Sequence, residues 1–218
     1  MESRISTDKL ASSIAAVVAA SKKKPRKFVE TVQLLIVLKK WDPRKDGRFY
    51  GTVKVLYAPR PKFRACILGD QQHCDEAKDL DLPFMNKNQI EEISKSSTRL
   101  NKLVKTYDAF LASPSLFNKL PGPFRRVLYV ARKEPTLLTH DESMGAKVEE
   151  LKSTVSFRMR RVACLCVTVG NVGMPREEML ENVFTVVDYL LPLVKGAWHN
   201  IRSLSVKSSM GPPQRLYG

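Results

Sequence analysis

All but one unit of this chain's net positive charge lies in its two ends. Residues 1–62 hold 15 Lys+Arg against 5 Asp+Glu, residues 63–152 hold 14 against 13, and residues 153–218 hold 8 against 4. The balances are therefore +10, +1 and +4 within a 218-residue chain of formal net charge +15. Such a partition says that part of the chain, and not all of it, meets the charged partner. It suggests that both ends join into one basic domain with a neutral domain inserted between them. An excess of one sign costs self-repulsion and is usually retained for a polyanion. Nucleic acid is the first candidate and an anionic membrane surface the second. Hydrophobic residues make up 43%, enough for a buried core, which excludes a disordered basic tail. No stretch approaches the roughly 20 apolar residues of a membrane span.

Hydrophobic spacing divides the chain into alternating helices and strands. Leu10, Ile14, Val17 and Val18 recur at helical spacing and predict an amphipathic first helix. Glu2 and Asp8 spoil the basic start that a signal peptide would need. The run Lys22-Lys23-Lys24-Pro25-Arg26-Lys27 reads equally as a solvated linker or as an address or RNA-contacting arm. Val32, Leu34, Ile36 and Leu38 alternate as a half-buried strand, and Val53, Val55 and Tyr57 as another. Trp41 to Gly47 between them reads as a polar turn. Ala58-Pro59-Arg60-Pro61 breaks the pattern, and the crossing into the middle segment is placed there. In that segment Ala65–Leu68, Asp108–Ala112 and Val127–Ala131 read as strands. A helix is expected from Cys74 to Leu80, and another over Glu142–Lys152 with Met144, Val148 and Leu151 in line. Such alternation argues for a mostly parallel sheet. Strands resume over Val155–Arg161 and Ala163–Val169. A long helix opens at Pro175 with Glu177 and Glu178 in its first turn. It buries Met179, Val183, Val187, Leu190 and Leu191 and kinks or ends at Pro192. Ile201–Val206 is the last expected strand, followed by a turn over Ser208–Pro213.

No catalytic motif emerges. His73, His140 and His199 are scattered, and no Gly-rich phosphate loop or HExxH occurs. Asp70, Asp75 and Glu76 follow a strand, where a metal or ribose site could sit. A helix N-terminus with favourable acidic residues explains them more simply. Four cysteines without a CxxC pair are too few for a disulfide scaffold or a zinc cage. They read as buried or half-buried thiols in a reducing compartment.

Several strings, taken in order, carry a resemblance. They are Lys27-Phe28-Val29-Glu30-Thr31-Val32, Asp42-Pro43-Arg44-Lys45-Asp46 with Arg48-Phe49, and Arg60-Pro61-Lys62-Phe63. Next come Leu68-Gly69-Asp70-Gln71-Gln72-His73-Cys74-Asp75-Glu76-Ala77 and Tyr107-Asp108-Ala109-Phe110-Leu111-Ala112-Ser113. The last are Lys207-Ser208-Ser209-Met210-Gly211 and Pro213-Gln214-Arg215-Leu216-Tyr217. Together they resemble the stalk-forming large-subunit ribosomal proteins of the L-one family in their eukaryotic form (L-ten-a), over nearly the whole chain. One stretch departs. The family's glycine-rich loop, G-P-G-L-N-K-A-G-K-F-P, should fall near 125–135, where this chain reads R-R-V-L-Y-V-A-R-K-E-P. Leu128, Ala131, Lys133 and Pro135 align, and every glycine is gone. The function of that loop does not carry over to these residues.

The resemblance implies a two-domain α/β protein. Residues 1–62 and 153–218 would form a discontinuous rRNA-binding α/β domain, and 63–152 an inserted Rossmann-like domain on a two-stranded hinge. It implies a non-enzymatic constituent of the cytosolic large subunit, without cofactor, metal or membrane contact, monomeric within the ribosome. Such a protein passes through the nucleolus for assembly. It binds the stalk region of large-subunit rRNA beside the tRNA exit site and assists movement and release of deacylated tRNA. Some relatives also bind their own messenger RNA. RNA contacts are carried onto Lys27, Phe28, Glu30, Thr31, Ser208, Ser209, Met210 and Gly211. Phe28 would pack on a ribose or base, and the Thr31 and Ser209 hydroxyls would meet 2′-hydroxyls. Glu30 would accept from a 2′-hydroxyl or orient Lys27 or an arginine. An assembly factor binding precursor rRNA through the same domain is the alternative reading.

Overall fold

The computed structural model describes residues 5–42, 49–159, 163–194 and 196–218. In chain order the elements are α1 (Thr7–Lys23), β1 (Thr31–Leu38), β2 (Phe49–Lys54), β3 (Ala65–Leu68), α2 (Gln71–Asp79), β4 (Phe84–Met85), α3 (Lys87–Ser94) and α4 (Ser97–Thr106). They continue with β5 (Ala109–Ala112), α5 (Pro114–Phe117), α6 (Gly122–Ala131), β6 (Thr136–Leu137), α7 (Met144–Ser153) and β7 (Thr154–Met159). The last are β8 (Cys164–Asn171), α8 (Arg176–Leu193), α9 (Ala197–Asn200), β9 (Ile201–Ser208) and β10 (Gln214–Tyr217). They form two compact units, one of residues 1–61 with 152–218 and one of Lys62–Leu151. The crossings expected at 62/63 and 152/153 lie one residue from this division. The chain leaves the first unit after β2 and re-enters it at β7, which pairs antiparallel with β2 from Phe49↔Met159 to Lys54↔Thr154.

In the first unit β1 is the middle of an antiparallel sheet ordered β10-β9-β1-β8. Its alternation is complete: Val32, Leu34, Ile36 and Leu38 are all buried and the residues between them half-exposed. The register sets Leu34 against Val206 and Val167, and Ile36 against Leu204 and Leu165, so the buried faces coincide. Leu10, Ile14 and Val17 of α1 and the Met179-to-Leu191 stripe of α8 belong to the same core. Each such side chain contributes about 1.5–3 kcal/mol when fully buried. Val18 is only half-buried against this core. Asn182, the fully buried polar residue of α8, is satisfied: its amide donates to the Tyr57 and Val169 carbonyls and its Oδ1 accepts from the Tyr57 N–H. Tyr57 itself is exposed, against the sequence expectation that it continues the buried face of Val53 and Val55. Pro192 falls in the last turn of α8, which ends one residue later.

The second unit carries the parallel sheet β4-β3-β5-β6. Every residue of β3 is buried, as a strand covered on both faces requires. Ala65, Ile67 and Leu111 pack with Ala77, Leu138, Met144 and Val148, a core to which α2 and α7 contribute. Cys66, Leu68, Phe110 and Ala112 pack with Ile90, Leu100, Val104, Phe124 and Leu128 from α3, α4 and α6. This is the doubly wound, Rossmann-like arrangement.

Four expectations need correction. The expected strand Val127–Ala131 is the second half of helix α6. Its apolar content suits a strand, but its burial does not alternate. Phe124 and Leu128 are buried four residues apart, while Arg125, Arg126, Tyr129 and Val130 are exposed. Helix α2 starts at Gln71, not Cys74, which leaves Asp75 and Glu76 mid-helix and no acidic residue in the first turn. The acidic group does not assemble: Asp75 pairs with Lys78 at 2.7 Å, whereas Asp70 accepts from the Ser113 and Ser115 hydroxyls. Among the thiols Cys66 and Cys74 are buried and Cys164 half-buried, but Cys166 is exposed, because it lies on the outer face of β8. Burial pushes the Cys66 thiol up to about 12. Residues 43–47 of the expected turn, the Pro43–Arg48 part of the resemblance and the Arg160–Arg161 end of the expected strand lie outside the described residues.

Candidate nucleic-acid interface

The residues named from the sequence come from two segments far apart in the chain, and the pairing of β1 with β9 brings them together. Val32 faces Ser208 in the ladder. One residue beyond it the Thr31 N–H donates to Ser209 Oγ at 3.2 Å, and the Ser209 N–H donates to the Thr31 carbonyl at 3.0 Å. The Thr31 and Ser209 hydroxyls share a further hydrogen bond of 2.8 Å. The strand pair therefore ends in a clamp of five polar groups, three from Thr31 and two from Ser209. Lys27 to Val29 on one strand's approach and Met210 on the other strand's exit flank it.

Glu30 fixes the clamp from inside. It is only 4% exposed. Its carboxylate accepts from Ser21 Oγ of α1 at 3.1 Å, from the Met210 N–H at 3.2 Å and from the Ser208 hydroxyl. These donors hold its pKa below the ordinary value: the Ser208 hydrogen bond is the largest influence, burial works against it, and Met210, Ser21 and the Arg26 charge add to it. The Glu30 carbonyl accepts from the Val172 N–H at 3.0 Å. Glu30 thus joins the end of α1, the start of β1 and the turn after β9. Of the roles expected for Glu30, contact with an arginine has a counterpart in the charge of Arg26, while its hydrogen-bond donors come from Ser21, Ser208 and Met210 within the fold. Ser208 is likewise fully buried. Its hydroxyl accepts from the Gly211 N–H at 3.0 Å, and a Cβ at Gly211 would overlap that hydroxyl. The glycine is needed for this close approach.

What remains outside is specific. Phe28 is 55% exposed, Val29 54% and Met210 61%, so none of them is a core residue. Val29, which stands in the same string but was given no role there, is exposed beside Phe28. Thr31, Ser209 and Gly211 are half-exposed. Lys22, Lys23, Lys24, Arg26 and Lys27 are all exposed. The result is an apolar and hydroxyl-bearing surface on a rigid strand end, with a run of cations leading into it.

The second unit holds one group that spacing did not reveal. His73 of α2 and His140, after β6, stack at 4.0 Å with an interplanar angle of 19°. Burial, with the charge of His140, pushes the pKa of His73 down. Asp70 stands beside them.

The family model of the ribosomal protein L1p/L10e family matches residues 18–212. The chain belongs to the ribosomal protein L1p/L10e family. Proteins of similar sequence include the large ribosomal subunit protein uL1 of Drosophila melanogaster, 51% identical with all of both chains covered. The protein of the same description from Spodoptera frugiperda is 49% identical over the whole of both chains. That of Caenorhabditis elegans is 43% identical over 99% of this chain and all of the relative. As a member of the L1p/L10e family the chain is a ribosomal protein with a structural, not a catalytic, role. The match runs through both halves of the clamp, Glu30–Thr31 and Ser208–Gly211.

Proposed function

We propose that this ribosomal protein is a structural constituent of the large subunit that grips the stalk region of its rRNA near the tRNA exit site. It serves there in the movement and release of deacylated tRNA. Its partners are large-subunit rRNA, exit-site tRNA and its own messenger RNA, and its place is the cytoplasmic ribosome after nucleolar assembly. The observation that supports this reading best is the β1–β9 end: exposed Phe28, Val29 and Met210 around a backbone locked by Glu30. Double-helical RNA hides its base edges, so a protein reads phosphates, 2′-hydroxyls and unstacked loops. The exposed lysines supply the phosphate contacts. Phe28 and Met210 offer apolar surface to a ribose or base, and Thr31 and Ser209 offer hydroxyls to the sugar edge.

The test is binding of the full chain to an rRNA stalk fragment. Phe28→Ala and Met210→Ala should each weaken it by about 1–3 kcal/mol, the range for a lost stacking or apolar contact to a base. Ser209→Val should weaken it as well. Lys102→Ala, on the exposed side of α4, should change little; a larger loss there than at Met210 would sink the assignment. The alternative, an assembly factor on precursor rRNA, is favoured by one feature: α6 stands where the resemblance implies a glycine-rich loop. Co-sedimentation with translating ribosomes, as opposed to nucleolar precursors, separates the two.

A further inference from the structure

The carboxyl ends of the parallel strands in the second unit carry a constellation that RNA binding does not use. Asp70 follows β3, His73 lies in the first turn of α2, and His140 follows β6. Open α/β sheets place their ligands at this edge. We propose that Asp70, His73 and His140 form a site for one divalent transition-metal cation of the zinc type.

Three observations carry this. The ligand atoms of the three side chains lie within 4.8 Å of one another. His73 is 1% exposed, and neither of its ring nitrogens has a hydrogen-bond partner. The Thr139 carbonyl is near enough to influence the ring, but no hydrogen bond of acceptable geometry forms. A buried polar ring without a partner is costly and rare, and a coordinated cation removes the cost. Asp70 is already aimed: the Ser113 hydroxyl donates to its Oδ2 at 2.8 Å, and the Ser115 hydroxyl donates to the same atom. That leaves Oδ1 as the ligand atom, with the serines in the orienting role that carboxylate ligands require.

The donor set selects the ion. Two imidazoles and one carboxylate suit zinc, copper or nickel, whereas calcium and magnesium require oxygen ligands. Zinc bonds of about 2.0–2.1 Å in a tetrahedron bring ligand atoms closer together than they stand here. Parallel stacked rings also cannot both aim a lone pair at one ion. His140 must therefore turn out of the stack, and it is exposed, so turning disturbs no core packing. Cys74 is not part of the set: its single S–H is taken up within the fold, where the Asn86 side chain and the Gly69 carbonyl are its acceptors. A bound ion would tie the segment after β6 to the start of α2.

The experiment uses the full chain, stripped with a chelator and titrated with zinc chloride by calorimetry, and with cobalt for its visible spectrum. One zinc per chain, with a raised thermal midpoint and a cobalt spectrum free of thiolate charge transfer, is expected. His140→Ala and Asp70→Asn should weaken binding by about tenfold or more, and Cys164→Ser with Cys166→Ser should leave it intact. His140 is on the surface, so its variant keeps the test valid should Asp70→Asn fail to fold. Absence of stoichiometric binding, equal binding by His140→Ala, or loss of binding in the cysteine variant would each overturn the site.

Discussion

Glu30 shows how one buried residue can fix the shape of the surface around it. Its buried carboxylate collects donors from Ser21, Ser208 and Met210, and hydrogen bonds to a charged acceptor are the strong ones. Its native pKa lies below the ordinary value of 4.5. A lowered carboxyl pKa means that the folded state binds its proton less readily than the unfolded one. The stability it contributes is therefore complete above about pH 4.5 and is lost as the pH falls through the native value. Glu30→Gln should lower stability by about 1 kcal/mol at neutral pH. The gap from the parent should close as the pH drops below 4.5 and the parent carboxyl takes up its proton. Urea unfolding at a series of pH values reads this directly, and a gap that does not vary with pH would refute it. The exposure of Phe28 and Met210 was foreshadowed only by the family strings, because composition alone favours burying an aromatic or a methionine. The inward turn of Glu30 and Ser208 was not legible. Nothing in a one-dimensional string says which face of a strand end meets the solvent.

Helix α6 makes the equivalent point for a whole element. Period two marks the start of β1, where Val32 and Leu34 alternate with Thr31 and Gln33, and the burial of Ile36 and Leu38 but not Leu35 and Val37 continues it through the apolar second half. Stripes at helical spacing likewise marked α1 and α8. The run Val127–Ala131 is too short for its period to show, and its strand-prone composition points the wrong way. The helix becomes apparent only when Phe124 and Leu128 are read as one face. Its end keeps a trace of the missing loop. Arg132 has φ 60° and ψ 36°, the left-handed conformation, at the position where the family pattern A-G-K has glycine. Arginine pays a steric cost there that glycine avoids. Arg132→Gly should stabilise the chain by about 0.5–1 kcal/mol, net of the extra freedom glycine gains on unfolding. A higher urea midpoint with an unchanged slope is the expected result, and a lower midpoint would contradict it. Strand β10 and helices α3 and α4 also went unread. Strand β10 and α3 are short and carry few hydrophobic residues, whereas α4 does show Leu100, Leu103 and Val104 at helical spacing, a signal that was passed over.

At the scale of the molecule, the charge partition and the two compact units describe the same division. The +10 and +4 segments fold into one unit and the +1 segment into the other. If RNA is held by the first unit, the salt dependence of binding must come from its lysines and arginines. Neutralising about six phosphates makes affinity fall roughly 10³-fold between about 50 and 200 mM salt. Changing Lys22, Lys23 and Lys24 together to Gln should reduce the slope of log K against log salt. The reduction should be about 0.9 for each phosphate contact those residues make. Changing Lys95, Lys102 and Lys105 together to Gln, all exposed in the neutral unit, removes the same charge from the whole chain. It should leave the slope unaltered. Filter binding of both variants to the stalk fragment across a salt series separates local contact from overall attraction. Equal losses of slope would mean that net charge alone draws the RNA, and the division of the chain into a basic and a neutral unit would then carry no consequence for binding.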